Sequence, residues 1–301
     1  MRIIVAATPG VAVPTLNWLL NSEHVLAAVI TQPDRPAGRG RELKGSVVSQ
    51  WAHENSVECF KPQDLAETAL LVRDCDVLLT IGYGVLLPTE ILKLPRHGCL
   101  NLHFSLLPRW RGAAPVQRAI EAGDSLSGVT VFQLDEGMDT GPIFSTKRFA
   151  LDTDITSDEL LIELAELGVE AVMESLQAIT DGKRPTLQSG EGATKASKIT
   201  KQGCEIDWNL SAQVISQKVR AFTSNPGAWT RFRGDTLKID SVSLEDSSLK
   251  PGTLHIVDKK LIVGTGSNAL AIGFLTPSGK ARMEALSWIN GARITDGEYF
   301  G

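Results

Sequence analysis

Four short, nearly continuous apolar runs recur through the first 150 residues, separated by stretches of helical spacing. They are RIIVAA from Arg2, HVLAAVIT from His24, DVLLTIGYG from Asp76 and GCLNLHF from Gly98. A strand that is apolar at nearly every position has to be covered on both faces, as happens when helices flank a parallel sheet. This part of the chain is therefore confined to repeated strand–helix units around a mainly parallel, Rossmann-like α/β sheet. GVTVFQLD and GPIFSTKRFAL, either side of EGMDT, add two more strands. TSDELLIELAELGVEAVMESLQAITDG then shows helical periodicity with a Ser/Asp start and a Gly stop, and packs on the sheet.

A chain of 301 residues exceeds what one core usually serves, so a second domain is expected. KRPTLQSGEGATKASKITKQG is polar and rich in Gly, Ser, Thr and Lys, the composition of a linker. Beyond it SAQVISQKVRAF is helical. AWTRFRGDTLKIDSV, GTLHIVDKKLIVGTGSNALAIGFL and GKARMEALS then alternate apolar and polar residues between Gly/Asp turns, which predicts a small, OB-like β-barrel. The expected organisation is an α/β domain over residues 1–185, a linker over 186–202 and a barrel over 203–301.

A net charge of −5 excludes an overall basic nucleic-acid binder but not a local basic patch. Residues 201–301 carry 12 Lys/Arg against 10 Asp/Glu, whereas residues 1–200 carry 18 against 25. That asymmetry hints at a polyanionic partner for the second domain, although solvated faces alone would produce it. Cys59, Cys75, Cys99 and Cys204 form no CxxC pair, which argues against a zinc site or disulfide framework and suits a reducing cytoplasm. The first apolar run stops at Thr8–Pro9, too short for a signal peptide, and no run reaches transmembrane length. A cytoplasmic, soluble protein without a membrane partner is expected.

GCLNLHF ends on Asn101 and His103, which a strand presents on one face. Open α/β sheets place their sites at the carboxyl ends of parallel strands. An imidazole titrates near neutrality, and an amide can donate to a developing oxyanion. An isolated N-x-H is more often a packed histidine beside a turn former, but SLLPRWRG follows here at once. Pro108 removes a donor and Gly112 frees the backbone, so the turn is expected to carry unpaired peptide groups that could bind a heteroaromatic ligand. In LDEGMDTGP, Asp139 lies between Gly137 and Gly141. A carboxylate there would hold the tautomer of His103 and raise its pKa, with Asp135 and Glu136 as rivals for the role. These acids lack a neighbouring His or Cys, and no metal is expected.

IGYGVLLP, from Ile81, is no dinucleotide fingerprint, but its small residues would let a flat ligand approach the backbone. TQPDRPAGRGREL interrupts the strand–helix rhythm and, with Lys44, carries Arg35, Arg39 and Arg41 against Asp34 and Glu42. A solvated loop is the ordinary reading, yet arginines on a long loop also suit phosphate contacts. In RAFTSNPGAWTRFRG, Arg220, Arg231 and Arg233 interleave with Phe222, Trp229 and Phe232. This is either a nucleic-acid surface or a set of core aromatics with solvated arginines.

Together these segments resemble the methionyl-tRNA formyltransferase family along nearly the whole chain. NLHFSLLPRWRGAAP is similar to its central motif, which is shared with other 10-formyltetrahydrofolate-using enzymes. GMDTGPI resembles its catalytic-aspartate turn and IGYGVLLP its folate-pocket strand. TQPDRPAGRGREL resembles its insertion loop, while IDWNLSAQVISQKVRAF and NPGAW resemble the start of its C-terminal domain. The resemblance implies formyl transfer from 10-formyltetrahydrofolate to initiator methionyl-tRNA, with no metal, by a monomer. It implies a catalytic trio of Asn101, His103 and Asp139; for formyl transfer the chemistry then makes His103 the acid, fixed and charged by Asp139. It places folate at Ser105, Leu106, Leu107 and Pro108 beside Gly82, Tyr83, Gly84 and Val85. It assigns tRNA to Arg35, Arg39, Arg41 and Lys44, with Arg220, Arg231 and Arg233 on the second domain. A formyltransferase acting on a nucleotide-linked amino sugar, or a formyltetrahydrofolate hydrolase, would share the trio.

Overall fold

The apolar runs become strands where their pattern places them. The computed structural model describes residues 1–37 and 42–301. The first ten strands are β1 (Arg2–Ala7), β2 (Val25–Ile30), β3 (Arg35–Ala37), β4 (Glu42–Lys44), β5 (Cys59–Phe60), β6 (Val77–Ile81), β7 (Cys99–His103), β8 (Arg111–Gly112), β9 (Leu126–Gln133) and β10 (Ile143–Ala150). Seven of them form one sheet in the order β10-β9-β7-β6-β1-β2-β5. The run from β7 to β5 is parallel, and β9 and β10 add an antiparallel edge. β6 is buried at every position, as its unbroken apolar sequence requires.

Helices α1 (Val13–Leu20), α2 (Val47–Glu54), α3 (Leu65–Val72) and α4 (Thr89–Leu92) connect the parallel strands, and α5 (Pro115–Glu121) and α6 (Ser157–Thr180) follow. Ser46 and Asp64 cap α2 and α3 by accepting from the backbone N–H groups of Ser49 and Glu67. The arginine-bearing segment is zipped at its ends, where β3 and β4 pair Arg35 with Lys44 across a short antiparallel ladder.

Chain contacts gather into two units. The first comprises Met1–Gly112, Leu126–Ala150 and Leu161–Ala196; the second comprises Ala113–Ser125, Leu151–Leu160 and Ser197–Gly301. The stretch expected to be a linker thus contributes residues to the first unit as far as Ala196. Its strand β11 (Lys195–Ala196) pairs with β8, which supplies the backbone partners a free linker would leave to water.

The second unit holds α7 (Ala212–Ala221), capped by Ser211, and the antiparallel order β12 (Ala228–Phe232), β13 (Asp235–Glu245), β16 (Ala269–Pro277), β15 (Lys260–Val263) and β14 (Leu254–Val257). This is the β-rich second domain expected from the alternating pattern. GKARMEALS departs from that pattern: only β17 (Met283–Glu284) is strand, and α8 (Ala285–Ala292) follows. Ala285, Trp288 and Ile289 fall at helical spacing and are buried, so core packing outweighs the local alternation. Trp208, Phe232, Trp288 and Phe300 form an aromatic cluster in this core. Among the described residues no helix is long and apolar enough to cross a membrane.

Candidate active site

The site starts from the register of two parallel strands. β6 and β7 pair Thr80 with Asn101, so Gly82 and His103 leave neighbouring strands at the same, carboxyl end. Asn101 and His103 share one face of β7. Asn101 is half-buried, and His103 is only 6% exposed with its ring edge-on to Phe132.

The turn after β7 closes on His103. The imidazole Nε2 lies 2.9 Å from the Trp110 carbonyl oxygen. A carbonyl only accepts, so Nε2 carries the hydrogen and Nδ1 is the nitrogen left facing the site. Asp139 Oδ2 stands 3.7 Å from Nδ1. Burial pushes the His103 pKa below its ordinary value, outweighing the opposing pulls of the Asp139 carboxylate and the Trp110 carbonyl. The expectation of an imidazole held charged by Asp139 is therefore corrected. Desolvation of a nearly enclosed ring exceeds the attraction of one carboxylate that is not in direct contact, which favours the neutral ring.

Asp139 is selected over its rivals by geometry. It adopts a left-handed φ of 54° and accepts at Oδ2 from the Gly112 backbone N–H at 2.7 Å. Asp135 instead accepts from the Gly137 N–H and the Thr140 hydroxyl, and Glu136 accepts from the Thr89 hydroxyl. Gly112 itself has φ 125°, and a Cβ there would stand 2.6 Å from the Ala196 carbonyl oxygen, so only glycine fits.

Several peptide groups that the turn was expected to leave unpaired have partners. Leu107 N–H donates to the Thr130 hydroxyl, Trp110 N–H to the Thr194 hydroxyl and Arg111 N–H to the Thr194 carbonyl. The Ser105 hydroxyl donates to the Arg109 carbonyl, and Thr130 donates to the Ser105 carbonyl. Distant threonines satisfy what the missing proline donor and the sheet edge leave over. Ser105 and Leu107 are buried, whereas Leu106 and Pro108 are half-buried and accessible.

Along the neighbouring loop Gly82 and Gly84 are exposed, Val85 is half-buried and Tyr83 is buried. The Tyr83 ring belongs to the sheet core, and its carbonyl accepts from Thr8 and Gln32, so its side chain is not presented to a ligand. At Gly84 a Cβ would meet nothing within 4 Å. Bare backbone beside open space, one strand from His103, fits a flat heteroaromatic ligand.

The basic residues divide. Arg35 and Lys44 are exposed and directly opposite each other, a like-charge pair that local packing does not favour. Arg39 and Arg41 lie outside the described residues. Phe222, Trp229 and Phe232 are buried, so these aromatics are core rather than stacking platforms. Arg231 is exposed over Trp229, with its Nε 3.6 Å from a Glu205 carboxylate oxygen. Arg233 pairs with Glu298 at 2.6 Å, and Arg220 is half-buried and donates to the Ile155 carbonyl. Both of these are already engaged within the second unit.

Sequence reasoning missed Thr130, Thr194, the Trp110 carbonyl and Gln188. Thr130 gave one signal, a hydroxyl within an otherwise apolar strand. The others fell in the turn itself or in the polar stretch beyond α6, where composition carries no sign of contact.

The family described as Formyl transferase matches residues 1–176, and the family described as Formyl transferase, C-terminal domain, matches residues 198–293. A relative from Thermobifida fusca named methionyl-tRNA formyltransferase is 43% identical over 310 residues, covering 100% of this chain and 99% of its own. One of the same name from Salinispora tropica is 42% identical over 307 residues, covering 99% of each chain. Among solved structures, HypX from Aquifex aeolicus in complex with tetrahydrofolic acid superposes with a TM-score of 0.68 at 20% identity, covering 96% of this chain and 46% of that one. The methionyl-tRNA formyltransferase from Clostridium thermocellum gives 0.60 at 18% identity, covering 81% and 94%.

Proposed function

Because the chain belongs to the methionyl-tRNA formyltransferase family, we infer that Asn101, His103 and Asp139 carry its group transfer. The protein moves the formyl group of 10-formyltetrahydrofolate onto the α-amino group of methionine on initiator methionyl-tRNA. The observation that carries the residue assignment is the buried His103, anchored through Nε2 to Trp110 and facing Asp139 through Nδ1.

Attack of the amine on the formyl carbon makes a tetrahedral carbon bearing an oxyanion. Asn101 donates to that oxygen, a contribution of about 3 kcal/mol for one well-placed donor. His103 Nδ1 takes a proton from the attacking amine and becomes an imidazolium that Asp139 stabilises. It then returns the proton to the departing N10 as the C–N bond breaks. The exposed backbone of Gly82 and Gly84, with Leu106 and Pro108, would hold the folate ring. Arg35, Lys44 and Arg231 would meet phosphates of the tRNA. The same reading makes the protein a cytoplasmic monomer, its state to be read by light scattering on an eluting peak.

The test offers 10-formyltetrahydrofolate with initiator methionyl-tRNA and a nucleotide-linked amino sugar in parallel. Formyl-methionyl-tRNA as the only formylated product is expected. Formylated sugar, or folate turnover with neither acceptor, would overturn the acceptor assignment.

A further inference from the structure

Gln188 lies in the polar stretch after α6, 38 residues beyond Ala150, the end of the last main-sheet strand, yet it is built into the catalytic turn.

Its side-chain nitrogen lies 2.9 Å from the Asp139 carbonyl oxygen and 2.8 Å from that of Gly141. Its side-chain oxygen lies 3.2 Å from Arg111 Nε and 2.6 Å from an Arg111 terminal nitrogen. Carbonyls accept and a guanidinium donates, so the amide can be oriented in only one way, with both hydrogens and both lone pairs used. The segment is fixed on either side. Thr186 exchanges backbone hydrogen bonds with Ile143, and Thr194 receives the N–H groups of Trp110 and Arg111.

These contacts close a ring around the reacting groups. Trp110 anchors His103, Arg111 holds Gln188, Gln188 holds the backbone of Asp139, and Gly112 holds the Asp139 carboxylate. Asp139 holds a left-handed φ of 54°, a conformation aspartate tolerates better than most residues with a side chain, and these contacts fix it there. We propose that Gln188 is a positioning residue: it clamps the turn of Asp139 to Arg111 and thereby sets the carboxylate opposite His103 Nδ1. This rests on the trio reading above. Gln188 acts through Asp139 and touches neither substrate.

The role demands an amide. Glutamate has the same shape, but when ionised it turns a lone pair toward two carbonyl oxygens. Displacements near 1 Å cost about 100-fold in positioned reactions. Gln188→Glu and Gln188→Ala are therefore expected to lower kcat about 10- to 100-fold, with the KM for 10-formyltetrahydrofolate within about twofold of wild type. A protonated glutamate regains one donor, so the Gln188→Glu to wild-type kcat ratio should rise as pH falls. The corresponding ratio for Gln188→Ala should stay level.

Turnover is measured from pH 4.5 to 8 for both variants and for Asp139→Asn, a range that reaches the ordinary glutamate pKa of about 4.3, with the folded fraction of each followed by thermal melting. A kcat loss confined to correctly folded protein, with the rising ratio for glutamate only, supports the proposal. Loss of kcat in step with loss of folded protein overturns it, as does kcat within twofold of wild type at Gln188 while Asp139→Asn is inactive. Near-normal turnover by Asp139→Asn sinks the trio reading, and the clamp with it.

Discussion

The strand Cys99–His103 and the hairpin Arg35–Lys44 belong to the same unit but hold their polar groups in opposite ways. His103 is nearly enclosed, one nitrogen committed to a backbone carbonyl and the other facing a single carboxylate. Arg35 and Lys44 stand in water, where their charges are solvated and screened. In the first region low polarity amplifies every interaction, so the electrostatics depend on tenths of an ångström. In the second, the field depends on the number of charges and hardly on where each side chain points.

The sharpest way to break this comparison is His103→Ala. Loss of the proton carrier should lower single-turnover formyl transfer by about 10²- to 10⁴-fold, with folate affinity largely kept. A loss of less than tenfold would remove the distinction between the two regions.

Arg35→Ala with Lys44→Ala should have a smaller and different effect. The KM for the tRNA is expected to rise several-fold and the salt dependence of binding to flatten by about one unit of slope per lost phosphate contact, at unchanged kcat. Were kcat to fall instead, the hairpin would be shaping the chemistry rather than recruiting the tRNA.

The smallest effect is on stability. Above the unfolded histidine pKa of about 6.5, His103 is neutral in both states and imposes no penalty. As pH falls below that value the unfolded chain takes up a proton that the folded site resists, because burial has lowered its pKa. Wild type should therefore lose stability from pH 7.5 to 5.5 relative to His103→Gln in urea titrations. Equal pH slopes for the two would show that His103 is not held neutral by the fold.

Much of the architecture was legible in local pattern. Nearly continuous apolar runs identified β1, β2, β6 and β7, because burial on both faces leaves few polar positions. The N-x-H spacing put Asn101 and His103 on one face, since strand period is a property of the backbone. GKARMEALS reads as alternating strand, and only packing of Ala285, Trp288 and Ile289 against the second core decided for α8. Phe222, Trp229 and Phe232 read equally well as surface or core, and burial settled them.

By itself, then, the sequence determined the parallel-sheet unit, the β-rich unit after it and the two strand residues at the centre of the site, because each follows from spacing between near neighbours. The tertiary structure alone decided that Asp139 and not Asp135 or Glu136 faces His103, that burial pulls the imidazole pKa down, and that a polar stretch ending at Ala196 is folded onto the turn. Those outcomes depend on groups far apart in the chain, such as Trp110 with Thr194 and Asp139 with Gln188, and on how much water their meeting excludes. No local pattern encodes either quantity.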